Sequence, residues 1–108
     1  MTALALDWLD IGALTAIPAR GGRVLRTPRG CIAVFRAFDD TVFALDDRCP
    51  HKGGPLSDGI VHGHEVTCPL HALVVDLATG ATPEGPVRTH AVRVDRGRIL
   101  LDPAALRP

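Results

Sequence analysis

Two cysteine and histidine pairs are the residues of this sequence most able to do chemistry. One residue separates Cys49 from His51. Sixteen residues lie between His51 and Cys68, and two residues separate Cys68 from His71. Two thiolates and two imidazoles can bind a tetrahedral zinc ion, or a [2Fe-2S] cluster with both thiolates on one iron and both imidazoles on the other. The four residues are therefore a candidate metal site.

The order of these ligands along the chain favours the cluster. Zinc fingers usually pair two cysteines and then two histidines, whereas each pair here contains one residue of each type. A two-iron site with like ligands on the same iron needs each of two facing loops to supply one ligand per iron. Mixed pairs meet that requirement, and a structural zinc site remains the alternative.

Two segments resemble the cluster-binding loops of Rieske [2Fe-2S] proteins. They are Cys-Pro-His-Lys-Gly-Gly-Pro-Leu at 49–56 and Cys-Pro-Leu-His at 68–71. The resemblance implies a single all-β domain at 1–108, a Rieske-type β-sandwich or barrel with an inserted cluster-binding subdomain, formed by two loops, at about 47–76. It also implies a Rieske-type [2Fe-2S] cluster and no catalytic residue. The ligands that it implies are Cys49, His51, Cys68 and His71.

Two later segments look like the small subunit of the assimilatory NAD(P)H-dependent nitrite reductase. These segments are 76–80 and 87–94, and the similarity extends over residues 24–101. It implies an electron-transfer small subunit of a soluble nitrite reductase, an oxidoreductase subunit with no substrate site of its own. The partner that it implies is a large subunit containing flavin and sirohaem, on which nitrite is reduced to ammonia.

The second hypothesis is a freestanding Rieske-type ferredoxin that donates electrons to a ring-hydroxylating dioxygenase or a related oxygenase. The same ligands and a similarly low reduction potential are expected of it. In either case flavin chemistry belongs to another chain, because 108 residues without a glycine-rich dinucleotide fingerprint cannot hold a flavin domain beside the cluster. A third hypothesis is a zinc-bound interaction module.

Composition and charge exclude other classes of function. The 12 basic and 12 acidic side chains are interspersed along the chain, so we expect no nucleic-acid partner. The chain has no apolar run of the ~18 to 20 residues that a membrane span needs, and we predict no membrane association. Without an export signal at its start, and with an odd number of cysteines, the sequence predicts a soluble, cytoplasmic protein.

Short apolar runs between glycine- and proline-rich turns predict an all-β fold. The runs at 31–35 and 41–45 predict a hairpin with its turn at Asp39 and Asp40. Residues 9–17 are expected to form one or two helical turns before Pro18, and residues 103–106 a terminal turn. The remaining predicted strands are 60–62, 65–67, 73–75, 87–94 and 99–101.

Other histidines and the third cysteine are predicted to have ordinary structural roles. We expect Cys31 to be a small buried apolar residue. His62 and His64 flank Gly63 and are expected to be solvated turn residues, and His90 an ordinary strand residue. Pro55 and Leu56 are expected to form an apolar lid over the cluster.

Overall fold

The structure, a computed structural model, describes residues 8–50, 54–69 and 72–106. These residues form ten strands and three short 3₁₀ turns, and every strand pairing is antiparallel. The strands are β1 (Leu9–Ala13), β2 (Gly21–Thr27), β3 (Gly30–Arg36), β4 (Val42–Asp46), β5 (Ile60–His62), β6 (Glu65–Thr67), β7 (Val74–Asp76), β8 (Thr89–His90), β9 (Val92–Asp95) and β10 (Arg98–Leu101). The 3₁₀ turns are Leu14–Ala16, Leu56–Asp58 and Pro103–Leu106.

The strands form three sheets. The central sheet has the order β2-β3-β4-β8, a second sheet has the order β1-β10-β9, and the small sheet has the order β5-β6-β7. None of the helical segments in the described residues is long and apolar enough to cross a membrane. The prediction of an all-β fold is confirmed.

The central sheet is buried on both faces. On β3, the alternate residues Ile32 and Val34 belong to one apolar cluster, while Ala33 and Phe35 belong to another. The first cluster also contains Ile99 of β10, and the second cluster contains the inward-facing residues of the small sheet. A strand that is buried on both faces has a continuous run of apolar residues. The sequence of β3 therefore predicts a strand clearly.

The predicted hairpin is confirmed, and so are the strands of the small sheet. Strands β3 and β4 pair in register around a turn in which Asp40 adopts a positive φ of 67°. Strands β5 and β6 have the predicted bounds, and β7 begins one residue later than predicted. The terminal turn at Pro103–Leu106 is also present.

The prediction of one strand at 87–94 is wrong. The chain leaves the central sheet after β8, where His90 pairs with Ala44, and joins the second sheet at β9, where Val92 pairs with Leu101. Between them, the carbonyl of Ala91 accepts a hydrogen bond from the backbone N–H of Asp102. The alternating sequence pattern continues across this change of sheet and conceals it.

The prediction of helical turns at 9–17 is confirmed only for one short 3₁₀ turn and is wrong for the rest of the segment. Residues Leu9–Ala13 form β1, which pairs with β10, and only Leu14–Ala16 are helical. The pairing register shifts between Asp10 and Gly12, where Gly12 has a φ of 132°, so the strand contains a bulge. A bulge interrupts the alternation of apolar residues, and the resulting spacing resembles that of a helix.

Strand β2 is not among the strands that the sequence predicts. This strand lies at the edge of the central sheet, pairs with β3 over seven residues and has no fully buried side chain. Polar and charged residues are common on edge strands because they oppose pairing with other chains. Its apolar content was therefore too low to predict it.

We expect Gly80→Ala to destabilise the fold strongly. Gly80 has a φ of 78°, and a Cβ atom there would overlap the carbonyl oxygen of Val87, whose N–H in turn donates to Gly80. The positive φ and the overlap together should cost about 3 kcal/mol in the free energy of unfolding. The measurement is the midpoint of urea unfolding.

Gly63→Ala is the matched control for this prediction. Gly63 also has a positive φ, of 56°, but a Cβ atom there would meet nothing within 4 Å. Only the backbone strain of roughly 1 kcal/mol should then appear. Equal losses in the two variants would contradict the importance of the contact between Gly80 and Val87.

Candidate metal centre

The structure brings Cys49 and Cys68 into one apolar cluster. Cys49 follows β4 and Cys68 directly follows β6, and both side chains are 0% exposed. They share the cluster with Leu56, Val66 and Leu77, among other buried residues. Two cysteines that are nineteen positions apart in the sequence are thus buried in the same part of the core.

Each of these cysteines begins a loop that is closed in the same way. The backbone N–H of Cys49 donates to the carbonyl of Gly54 at 2.7 Å, and that of Cys68 donates to the carbonyl of Leu73 at 2.7 Å. Both hydrogen bonds therefore connect a cysteine to the residue five positions later. The second loop has one further bond, from the N–H of Ala72 to the carbonyl of Cys68, and Ala72 has a φ of 54°.

The two predicted histidine ligands, His51 and His71, lie outside the described residues. Each falls inside one of the two closed loops, between the cysteine and the residue whose carbonyl closes the loop. Among residues 8–50, 54–69 and 72–106, no group of three or more potential ligands comes together.

Aliphatic side chains pack around the two thiols. Leu56 is fully buried, as the apolar lid prediction requires, but Pro55 is exposed and does not share that role. Leu73 is half-buried against the same cluster, and Val75 is 0% exposed. No side chain from Ala72 to Val74 carries a hydroxyl, so this stretch offers the site no side-chain hydrogen bond.

His64 connects the small sheet to the hairpin of β3 and β4. It is partly exposed, as predicted, but its Nε2 lies 2.9 Å from Oδ2 of Asp39 and its ring lies 5.1 Å from that of Phe43. Hydrogen bonds from the side chain and backbone of Thr41, together with His64, hold the pKa of Asp39 below its usual value. The sequence does not show this contact, because 25 residues separate the histidine from the aspartate.

His90 lies in strand β8, as predicted, whereas Cys31 differs from its predicted environment. The side chain of His90 is only 3% exposed, and its Nε2 lies 2.7 Å from Oδ1 of Asp46, at the end of β4. His90 therefore fixes the strand end that leads into the first loop. Cys31 is exposed, so the prediction that it is buried is wrong. The continuous burial of β3 begins only at the next residue, Ile32.

The sequence matches the family profile described as a Rieske-like [2Fe-2S] domain over residues 7–102. The chain belongs to the Rieske family. Its cofactor is accordingly a Rieske-type [2Fe-2S] cluster, and the predicted resemblance is confirmed. The described residues fit this cofactor, because two buried thiols at the start of two equal loops can supply its two thiolates.

Two relatives that this Rieske domain matches over most of their length are ferredoxin components of oxygenase systems. The chain is 33% identical over 100 residues to the ferredoxin component of the naphthalene 1,2-dioxygenase system of Pseudomonas aeruginosa, covering 88% of this chain and 94% of the relative. It is 37% identical over 108 residues to the ferredoxin component of the p-cumate 2,3-dioxygenase system of Pseudomonas putida, covering 93% and 92%.

Solved structures show the same fold in two functional settings. The chain matches a structure of the complex of reduced oxygenase and oxidised ferredoxin in carbazole 1,9a-dioxygenase, with a TM-score of 0.78, 26% identity and coverage of 89% of this chain and 93% of the other. It also matches a chain named as an NADH-dependent nitrite reductase small subunit from Mycobacterium tuberculosis. That match has a TM-score of 0.77 and 25% identity, and it covers 87% of this chain and 92% of the other.

We propose that Cys49 and Cys68 supply the two thiolates of this Rieske domain, and that His51 and His71 supply the two imidazoles. Cys49→Ser and Cys68→Ser should then each bind at least roughly tenfold less iron, since even changes outside the ligand set reduce metal affinity by that factor. Iron and acid-labile sulfide per chain are the quantities to measure.

Cys31→Ser is the matched control, because Cys31 is exposed and lies outside both loops. It should keep the iron and sulfide content of the wild type. Full iron and sulfide in either loop variant would contradict the proposed ligands.

Proposed function

We propose that this Rieske domain is the ferredoxin component of a ring-hydroxylating or related oxygenase system. In this role the chain would receive single electrons from a reductase and deliver them to the oxygenase. When bound, the [2Fe-2S] cluster supplies the ability to hold one electron at a time. We assign no catalytic residue to the chain itself.

The observation that carries this proposal is the end-to-end match with ferredoxin components. Two such proteins are each covered for more than nine tenths of their length, at 33% and 37% identity. The named partner of one structural relative, a dioxygenase, supports an oxygenase as the electron acceptor here.

The second candidate is the nitrite reductase small subunit to which segments 76–80 and 87–94 are similar. The structural match to such a subunit favours it, at 25% identity. A large subunit with flavin and sirohaem would then be the partner. The identities to the ferredoxin components are higher over a comparable share of the chain, so we place this hypothesis second.

The residues around the two thiols suit a carrier of low reduction potential. Rieske centres span about −150 to +300 mV, and hydrogen bonds to the cluster sulfurs raise the value. The side chains of Ala72, Leu73 and Val74 offer no such donor, and the chain contains no tyrosine. We therefore place this domain at the low end of that range.

We propose a cytoplasmic location for the chain. Cysteine thiolates that bind metal must stay reduced, and a reducing compartment keeps them so. Cytoplasmic reductases and oxygenases would be within reach of the domain there.

Deletion of the gene for this chain tests the proposed function. The deletion strain should grow normally with nitrite as the sole nitrogen source, because nitrite reduction would not depend on the chain. It should lose growth on at least one aromatic compound that the parent strain uses as a carbon source. Growth should return with the wild-type chain or with Cys31→Ser, but not with Cys49→Ser, which removes a proposed ligand.

Two outcomes would contradict the oxygenase proposal. Loss of growth on nitrite, with normal growth on aromatic compounds, would favour the nitrite reductase subunit. Normal growth under both conditions would exclude both functions for this chain in that strain.

A further inference from the structure

The two loops that begin at Cys49 and Cys68 have the same closure but different supports. The second loop, closed between Cys68 and Leu73, continues directly into a strand pair in which Thr67 of β6 pairs with Val74 of β7. The first loop, closed between Cys49 and Gly54, follows β4, and the next strand along the chain, β5, pairs with β6. No strand pairing therefore joins the two ends of the first loop in the described residues.

A carboxylate joins the two ends of the first loop instead. Oδ1 of Asp47, two residues before Cys49, accepts a hydrogen bond from the backbone N–H of Ser57 at 2.7 Å. Oδ2 of the same carboxylate accepts a hydrogen bond from the Ser57 hydroxyl at 2.8 Å. Both residues are half-buried, where hydrogen bonds to a charged acceptor are stronger than those between neutral groups.

Asp47 is itself attached to the central sheet. Its backbone N–H donates to the carbonyl of Cys31 at the start of β3, at 3.0 Å. The side chain of Asp47 therefore connects the 3₁₀ turn Leu56–Asp58 to the central sheet, through its two hydrogen bonds with Ser57. The residue before Pro55 is Gly54, whose carbonyl closes the first loop.

The position of this turn determines the packing beside Cys49. Leu56, the first residue of the turn, is 0% exposed and lies in the same apolar cluster as Cys49. On its other side the turn is tight against the small sheet, because a Cβ atom on Gly59 would lie 2.5 Å from the carbonyl oxygen of Thr67. The carboxylate of Asp47 thus holds the turn on the side of the central sheet.

We propose that Asp47 is a positioning residue for the first ligand loop. Its two hydrogen bonds with Ser57 join the two ends of the loop at Cys49. The pairing of β6 with β7 joins the two ends of the loop at Cys68 in the same way. This inference rests on the proposed role of Cys49 as a ligand. It follows that loss of the carboxylate opens the first loop, while the second loop keeps its support.

The test is the rate at which purified, cluster-loaded protein releases iron to a strong iron chelator in native buffer. Asp47→Ala removes both hydrogen bonds and should release iron at least about tenfold faster than the wild type. Ser57→Ala removes only the hydroxyl hydrogen bond and should show a smaller increase. The paramagnetic spectrum of the reduced protein should also broaden in Asp47→Ala, because the first loop then adopts more than one arrangement.

Asp47→Asn separates the hydrogen bonds from the charge. An asparagine can accept the Ser57 N–H through its carbonyl oxygen and donate to the hydroxyl through its amide, so both contacts persist without the charge. Because the neutral hydrogen bonds are weaker than those of the carboxylate, we expect its release rate to lie between those of the wild type and Asp47→Ala. Asp58→Ala is the matched control, since Asp58 lies exposed on the same turn, and it should behave as the wild type.

Several results would overturn the proposal. They are wild-type release rates in both Asp47→Ala and Ser57→Ala, equal acceleration in Asp58→Ala, or release from Asp47→Asn as fast as from Asp47→Ala. If Asp47→Ala does not fold, the iron release rate of Ser57→Ala compared with that of Asp58→Ala tests the proposal. Cys49→Ser in parallel separates the two claims: if it loses iron while the Asp47 and Ser57 variants match the wild type, only the positioning role fails.

Discussion

The burial of two thiols in one apolar cluster is the constraint on which the rest of this structure depends. Cys49 and Cys68 follow strands of different sheets and are both fully buried. A Rieske [2Fe-2S] cluster is bound by two thiolates, which two cysteines buried in the same cluster are placed to supply. The central sheet, the small sheet and the turn at Leu56–Asp58 together enclose that position.

The two faces of the central sheet belong to two different apolar clusters, and only one of these clusters contains the cysteines. One face of the sheet packs on the second sheet with aliphatic residues alone, and its other face packs on the cysteines and the small sheet. Contacts on the first face involve neither cysteine, whereas the second face includes both. Polar contacts such as that of His90 with Asp46 fix where the first loop begins.

The sequence predicts the two cysteine-containing loops because its signals there are local. The spacing of Cys49 and Cys68 indicates the loops, and the apolar runs of β3 and β4 indicate the hairpin that leads into the first of them. The rest depends on residues that are distant in the sequence. Strand β1 exists because β10 pairs with it, and the contact of His64 with Asp39 forms only when two sheets pack together. Local patterns contain no information about such contacts.

The central claim is that two cysteines and two histidines hold a two-iron cluster in this chain. Pulsed paramagnetic resonance of the reduced protein tests it most directly, since it detects nitrogen atoms bound to iron, and it should be combined with iron and sulfide analysis. We predict two irons, two sulfides and two bound imidazole nitrogens per chain. Zinc without sulfide, or an iron-sulfur cluster with no bound nitrogen, would contradict it.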